Sequence, residues 1–379
     1  MSGRWFSPAR LLAVIVKEFI QMRRDRLTFA MMVGIPMMQL LLFGYAINTD
    51  PKHLPTVILS LDQSDLARSI QAALQNSGYY RVVAIARSRH EVDRSLDQGE
   101  ALFAVTIPAG FGRDLLRGDR PALLLEADAS DPVAAGNALA ALPALERRAL
   151  AHDLGGTLHK LQGGEPAFEI RTHRRYNPEG LSSYNIVPGL VGTILTMTMV
   201  VMTSLAVTRE RERGTMENLL AMPLQPAEVM LGKILPYVVV GYVQVSVVLL
   251  AARYLFGVPM LGSILLLSLA LLAFIGANLS VGFTFSTLAR NQLQAMQLTF
   301  FFFLPSILLS GFMFPFAGMP GWARVVGEVL PLTHFLRIVR GVLLKGNGPA
   351  EIWPNVWPLL LFMTVVSTVA LKRYRRTLD

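Results

Sequence analysis

Charged side chains are concentrated in one short block of an otherwise apolar sequence, residues 208–217, which reads TRERERGTME. Arg209 and Arg213, and Arg213 and Glu217, are four residues apart, so a helix would place them on one face. An apolar patch with a charged rim can dock a second protein, because burial supplies affinity and charges fix orientation. The alternative, favoured by the charges alone, is a solvated linker. The patch residues would be Met216, Leu219 and Leu220.

Other reactive residue types are sparse. The sequence has no cysteine, and its six histidines are scattered. His152 and His159 are seven residues apart, but no further ligand has the spacing of a metal site. Neither GxGxxG nor GxxxxGK[ST] occurs, so no nucleotide site is predicted. A membrane enzyme would need paired acids or a nucleophile with its base, whereas Glu328 and Glu351 are isolated, and this class ranks last.

The composition is that of a membrane protein, with 53% hydrophobic and 16% charged residues. Runs of about 20 apolar residues can cross a bilayer as helices. Six such spans are predicted, and none contains Asp, Glu, Lys, Arg or His. They cover residues 29–47, 186–207, 234–252, 263–288, 294–316 and 353–371.

Basic residues outside the predicted spans set the orientation. Lys and Arg precede the first span and follow the second, fourth and sixth, which places all of these segments on one side. The positive-inside rule makes that side cytoplasmic, so both termini are predicted to be cytoplasmic. Because the basic residues flank apolar spans, lipid headgroups are the expected partners and nucleic acid is not.

Residues 48–180 are then expected outside as an inserted, periplasmic α/β domain. Four apolar segments are predicted strands: PTVILSL, YRVVAIA, ALFAVTIP and PALLLEAD. Two segments with Ser at the start and Gly at the end, SDLARSIQAALQNSG and SRHEVDRSLDQG, are predicted helices. A long helical stretch is predicted over about 132–161. The fold class is therefore a polytopic α-helical membrane protein with six transmembrane helices and an inserted extracytoplasmic α/β domain.

Three further segments lie at the membrane surface. Residues 1–28 are predicted to form a cytoplasmic amphipathic interfacial helix. The cytoplasmic loop 208–233 is predicted to hold two short helices, the first ended by Pro223 and the second running from Pro226 to Gly232. Residues 317–352 are too apolar for a plain loop, and they predict an outer hairpin of short helices that re-enters the membrane.

The absence of charged residues from the predicted spans bears on how transport by this protein would be powered. An ion-coupled transporter needs ionisable groups or broken helices near the midplane, and the predicted spans carry no ionisable residue. Without a phosphate-binding loop the chain has no ATPase motif of its own. Any uphill transport must therefore be powered by a partner.

Several motifs resemble one known family. The sequence TRERERGTMENLLAMPLQPAEVMLGKILPY resembles the cytoplasmic loop of ABC-2 type permeases, the membrane subunits of ATP-binding-cassette exporters with a type V-like architecture. The segments YNPEGLSSYNIVPGL, LPLTHFLRIVRGVLLKG and IPAGFGRDLLRGDRPALLLEADASDP are similar to parts of the bacterial drug-efflux branch that carries a large periplasmic domain. They occur in the order expected for that branch.

The resemblance implies a permease subunit, not itself an enzyme, in the bacterial inner membrane. It would pair with a second permease copy or paralogue and dock an ABC ATPase that holds ATP and Mg, while binding no cofactor itself. A periplasmic membrane-fusion adaptor and an outer-membrane channel are possible further partners. Arg340 and Gly341 match the hairpin motif and are assigned a structural role. The implied ATPase-coupling residues are Glu210, Glu212, Glu217, Met216, Leu219 and Leu220.

Two stripes of small and polar residues are candidates for a translocation pathway. One lies on the second span and the other on the fifth, and their interpretation as helix-packing surfaces is the alternative. A pathway without charges suits amphipathic or lipophilic cargo. The candidate residues are Gly192, Thr196, Met199, Thr203, Gln297 and Phe301.

A competing hypothesis keeps the architecture and changes the class. A membrane-anchored sensor or assembly protein would bind a ligand in the extracytoplasmic domain and signal through the spans. Such a sensor needs a cytoplasmic output domain, and none of the predicted inner segments is long enough to fold as one. The exporter permease is therefore preferred.

Overall fold

The computed structural model describes residues 42, 51–150, 153, 166–212 and 226–376. The predicted interfacial helix, and the first span apart from Leu42, lie outside the described residues. So do residues 213–225 of the predicted coupling loop. Leu42 itself is buried against Leu308, Leu309 and Met319.

Five strands form one mixed sheet in the order β2-β1-β3-β4-β5. β1 is parallel to β2 and β3, β3 is antiparallel to β4, and β4 is parallel to β5. The four predicted strands are confirmed, and β5 is an addition that the sequence analysis missed. The strands are β1 Leu54–Ser60, β2 Tyr80–Ile85, β3 Phe103–Ile107, β4 Ala122–Asp128 and β5 Glu169–Arg175. This unit is called the sheet domain below.

Five short helices accompany the strands of the sheet domain. The Ser64 and Ser88 side chains accept from the amides of Ala67 and Glu91, which confirms the two predicted serine caps. Ile58 and Leu59, neighbours on β1, enter two different apolar clusters, so both faces of the sheet are covered. The helices are α1 Asp65–Asn76, α2 Arg89–Asp97, α3 Phe111–Arg117, α4 Pro132–Ala140 and α5 Leu142–Arg148.

The helical stretch predicted over 132–161 is divided into two helices in its described part, and the second ends at Arg148. α4 and α5 are separate helices that meet at Ala141. Pro143 lies in the first turn of α5, where its missing amide hydrogen and its ring are tolerated. Inside a continuous helix the same proline would remove a hydrogen bond and clash with the preceding turn.

Five long helices and a short-helix segment make up the rest of the described residues, from Ser182 onward. Each of the five is long and apolar enough to cross a membrane, which agrees with the last five predicted spans. The helices are α6 Ser182–Glu212, α7 Pro226–Tyr254, α8 Ile264–Leu288, α9 Gln292–Leu309 and α12 Pro349–Arg376. Together they are called the bundle.

The hairpin segment, residues 316–345, connects α9 to α12 at the end of the bundle next to the sheet domain. It contains a short 3₁₀ turn at Phe316–Gly318, then α10 Gly321–Val329, α11 Pro331–Arg340 and one π-helical turn at Gly341–Lys345. The predicted short helices are therefore present. Phe335 of α11 is fully buried and stacks on Phe274 of α8 with 4.1 Å between ring centroids.

Two predicted helix boundaries are wrong. The fifth span was expected to run to residue 316, but α9 ends at Leu309, because Gly311 has a left-handed φ of 84° that a right-handed helix cannot continue. Gly232 was expected to end a short helix, yet α7 runs from Pro226 to Tyr254 without a break. A glycine inside a helix costs only about 1 kcal/mol, which the apolar run on either side outweighs. α6 likewise continues from its span to Glu212.

α8 lies at the centre of the bundle and packs on α6 and α12. A Cβ atom added at Gly282 would lie 2.6 Å from the Val200 carbonyl oxygen and 2.9 Å from Thr203 Cβ, both on α6. Glycine at this position therefore allows the two backbones to approach closely.

We expect Gly282→Ala to destabilise the bundle by about 1–3 kcal/mol, because the added methyl group must push α6 away. Gly321→Ala is the matched control, since nothing lies within 4 Å of a Cβ added there. Thermal unfolding of the full chain in detergent measures both. Equal midpoints for the two variants would contradict the close α6–α8 packing.

Candidate functional surfaces of the bundle

Four candidate pathway residues lie on α6, where other helices of the same chain cover them. A Cβ added at Gly192 would lie 2.7 Å from Leu332 of α11. Met199 is fully buried in the bundle core. The Thr196 and Thr203 hydroxyls are buried and donate to the carbonyls of Gly192 and Met199 at 2.9 and 2.8 Å. These contacts match the packing interpretation, and the pathway role of the α6 residues stays a prediction.

The candidate residues on α9 have a different environment. Phe301 is 40% exposed, and Met296 and Phe300 are exposed beside it, so α9 presents an apolar face that the described residues leave uncovered. The Gln297 Oε1 atom is buried and has no hydrogen-bond partner within the described part of the chain. The two stripes therefore do not meet on one surface of the chain. The α9 face is the part of the predicted pathway open to another molecule.

Only part of the predicted coupling surface is described. Glu210 lies on the last turn of α6, and the structure describes its backbone alone; Glu217, Met216, Leu219 and Leu220 lie outside the described residues. The Glu212 carboxylate accepts from the backbone amide of Gln292 at 2.8 Å and also from the Gln292 side chain. These two bonds lower the pKa of Glu212.

Glu212 thus caps the first residue of α9 from the end of α6. The same turn holds a local capping pair, in which Asn291 accepts from the Gln294 amide and Gln294 accepts from the Arg290 amide, each at 2.8 Å. The end of α6 and the α8–α9 turn are therefore fastened together at one end of the bundle. This contact does not test the ATPase-coupling role predicted for Glu212, which stays a prediction.

At the opposite end the sheet domain joins the bundle through Lys345, the last residue of the π-helical turn. Its Nζ atom donates to Asp128 Oδ2 at 2.5 Å and to the Leu96 carbonyl at 2.8 Å. The Lys345 and Asp128 side chains are 7% and 4% exposed. Asp128 ends β4 and Leu96 lies on α2, so one ammonium group connects two elements of the sheet domain to the hairpin segment.

Two more polar contacts surround this ion pair. Asn347 donates to the Asp97 carbonyl at 2.9 Å, and the Tyr176 hydroxyl donates to the Asp97 carboxylate. The Lys345 ammonium lies 4.9 Å from the centroid of the Tyr176 ring. Burial, followed by the bond to Asp97, raises the pKa of Tyr176, which keeps its hydroxyl protonated as a donor. We call Lys345, Asp128, Asn347, Asp97 and Tyr176 the junction.

The sequence analysis did not single out the junction. A local signal exists, because Lys345 follows three buried apolar residues, VLL, and Asp128 ends the mostly buried strand ALLLEAD. Lysine and aspartate at such positions are rarely fully buried unless they are paired. Their pairing with each other, across 217 residues, has no local signature.

The fold and these surfaces define a multi-pass helical membrane protein with an α/β domain attached to one end of its bundle. The chain belongs to the ABC-2 family of transporters, since residues 26–372 match the family described as ABC-2 family transporter protein. This match confirms the family that the sequence motifs resemble.

Three relatives are similar along most of their length. The probable multidrug ABC transporter permease YbhS of Escherichia coli strain K12 is 32% identical, over 100% of both chains. YbhR of the same strain, also named a probable multidrug ABC transporter permease, is 27% identical over 97% of this chain and 98% of its own length. The inner membrane transport permease YhhJ of that strain is 31% identical over 86% of each.

We expect Lys345→Met to destabilise the full chain by about 3–5 kcal/mol, because the Asp128 carboxylate stays buried without its cation. Adding Asp128→Asn to this variant should recover part of the loss. Arg68→Met is the matched control: it breaks the exposed Arg68–Asp65 pair, and such pairs contribute about 1 kcal/mol or less. Chemical unfolding in detergent measures all three variants, and equal losses for Lys345→Met and Arg68→Met would refute the importance of the junction.

Proposed function

We propose that the chain is the permease subunit of an ATP-driven exporter in the bacterial inner membrane. The observation that carries this proposal is the family match over residues 26–372, which includes all the described spans. Full-length similarity to proteins named as ABC transporter permeases supports it. Two permease subunits, identical or paralogous, would work with separate ABC ATPase subunits that bind ATP and Mg. In this arrangement the chain itself hydrolyses no ATP.

The proposed orientation places the sheet domain in the periplasm and both termini in the cytoplasm. Three exposed tryptophans, Trp322, Trp353 and Trp357, lie on α10 and at the start of α12, near the sheet domain. Tryptophan at this level is typical of a membrane–water interface. The opposite end of the bundle carries Arg209, next to Glu212, and Arg290, which fits the positive-inside rule.

The proposed cargo is amphipathic or lipophilic. The six predicted spans carry no ionisable residue that could hold a free ion at the midplane. The exposed face of α9, with Met296, Phe300 and Phe301, offers adaptable apolar side chains to such a molecule. A periplasmic adaptor that meets the sheet domain, and an outer-membrane channel beyond it, are proposed as further partners.

The test of the proposal is capture of the ATPase. We expect an ABC ATPase to copurify with the tagged chain from its host in mild detergent, and to be lost when Met216, Leu219 and Leu220 are all changed to serine. The reason is that removing the apolar patch removes the burial that holds the partner. Mass spectrometry identifies the bound proteins.

A matched control carries the same number of serine changes in the sheet domain. Leu61, Leu116 and Val133 are each more than half exposed there, so their replacement by serine should leave ATPase capture unchanged. Absence of an ATPase from the wild-type sample, with the chain folded and inserted, would contradict the exporter proposal and favour the membrane-anchored sensor.

A further inference from the structure

A cavity of about 1000 Å³ lies between the sheet domain and the hairpin segment. Its wall includes Asp131 from the sheet domain and Arg340 from the end of α11. Apolar parts of the wall come from Phe316, Val325 and Trp357. Charged groups of both signs line the rest of the wall. The volume is that of a site for a drug-sized molecule.

Arg340 uses only part of its hydrogen-bonding capacity. Its Nη1 atom donates to the Gly311 carbonyl at 3.2 Å, just beyond the end of α9. Its Nε and Nη2 atoms are buried and have no hydrogen-bond partner in the described part of the chain. A buried donor without a partner costs free energy, and more so when it is charged. The structural role expected for Arg340 therefore accounts for the bond from Nη1 to the Gly311 carbonyl. It does not explain why the Nε and Nη2 atoms are buried without a partner in the described part of the chain.

Two other cations that line the cavity, unlike Arg340, donate to a carboxylate. Lys345 is bound to Asp128 and to the Leu96 carbonyl. Arg337 donates twice to the Glu328 carboxylate, at 2.6 and 3.0 Å. The unused donors thus belong to one of the four arginine and lysine groups on the hairpin segment, and the Arg340 Nε and Nη2 atoms form the planar fork that matches an oxyanion.

Asp131 lines the same cavity as Arg340 but accepts no hydrogen bond from it. The Asp131 Oδ1 atom accepts from the amides of Val133 and Ala134 and from the Asn185 side chain, at 3.2 to 3.3 Å. None of these bonds involves Arg340. Burial raises the pKa of Asp131, although the Arg340 charge opposes this shift. Asp131 therefore provides no hydrogen-bond acceptor for the Nε and Nη2 atoms of Arg340, although both residues line the same cavity.

We propose that this cavity binds the carboxylate or phosphate headgroup of an amphipathic molecule. The headgroup oxygens accept from Arg340 Nε and Nη2, and the apolar part lies against Phe316, Val325 and Trp357. The identification of the ligand as exported cargo rests on the proposed function. The presence of a ligand site in the cavity does not. Either a membrane phospholipid or the cargo could supply the headgroup.

The test compares an anionic ligand with a neutral one of the same chain length. The full chain, purified in an uncharged detergent, is titrated with decanoate and with decanol by calorimetry. We expect saturable binding of decanoate at one site, and about tenfold weaker binding for Arg340→Gln, since a lost charged fork amounts to roughly a factor of ten or more. Decanol should partition equally with both proteins.

Three further variants guard against a folding defect. Arg324→Gln removes an exposed cation at the same cavity and should retain the wild-type affinity for decanoate. Val325→Asp puts a negative charge on the exposed apolar wall, away from the buried groups, and should weaken decanoate binding without unfolding the chain. Arg340→Lys, which keeps the charge and loses the fork, should fall between wild type and Arg340→Gln.

Equal affinity of wild type and Arg340→Gln for decanoate, or binding of decanol as tight as that of decanoate, would overturn the site. Mass spectrometry of copurified lipids separates the two sources. A phospholipid retained by the wild type and lost from Arg340→Gln assigns the site to a membrane lipid; decanoate binding without a retained lipid assigns it to cargo. Because no ATPase takes part, failure here is independent of the ATPase capture experiment.

Discussion

The buried ion pair between Lys345 and Asp128 fixes the position of the sheet domain on the bundle. Desolvating two charges is costly, and the cost is offset only when the geometry is good and the remaining donors are satisfied. Here the ammonium has a second acceptor at 2.8 Å and an aromatic ring beside it. The described covalent connection, from β5 to α6, would not by itself prevent the sheet domain from turning. With the junction formed, the cavity next to Arg340 has defined walls.

The molecule separates its packing contacts from its charged contacts. Inside the bundle, glycines allow close helix approach, and threonine hydroxyls are satisfied by carbonyls one turn earlier. Ion pairs and charged caps lie at the two ends, with Glu212 on Gln292 at one end and Lys345 on Asp128 at the other. A bilayer imposes this division, because uncompensated charge is costly in hydrocarbon. Contacts with an ATPase and with a polar ligand are accordingly expected at opposite ends.

Elements that depend on local pattern were predictable from the sequence. The capped helices α1 and α2, strands β1 to β4 and the last five spans follow from periodicity, serine caps and apolar length. β5 was missed because it is a charged edge strand, EIRTHRR, in which Ile170 is the single buried residue. The end of α9 depends on one left-handed glycine. The junction and the Arg340 cavity depend on residues far apart in sequence, which no local pattern brings together.

The measurement that tests the central claim most directly is the distance distribution between the sheet domain and the bundle. The sequence has no cysteine, so Arg94→Cys on α2 and Ala350→Cys on α12 can carry two spin labels at exposed positions without further changes. Pulsed electron paramagnetic resonance of the full chain in lipid nanodiscs then reports their separation. A fixed junction predicts one narrow distribution. A broad or multiply peaked distribution in this labelled chain, with Lys345 and Asp128 unchanged, would show that these two residues do not hold the sheet domain on the bundle.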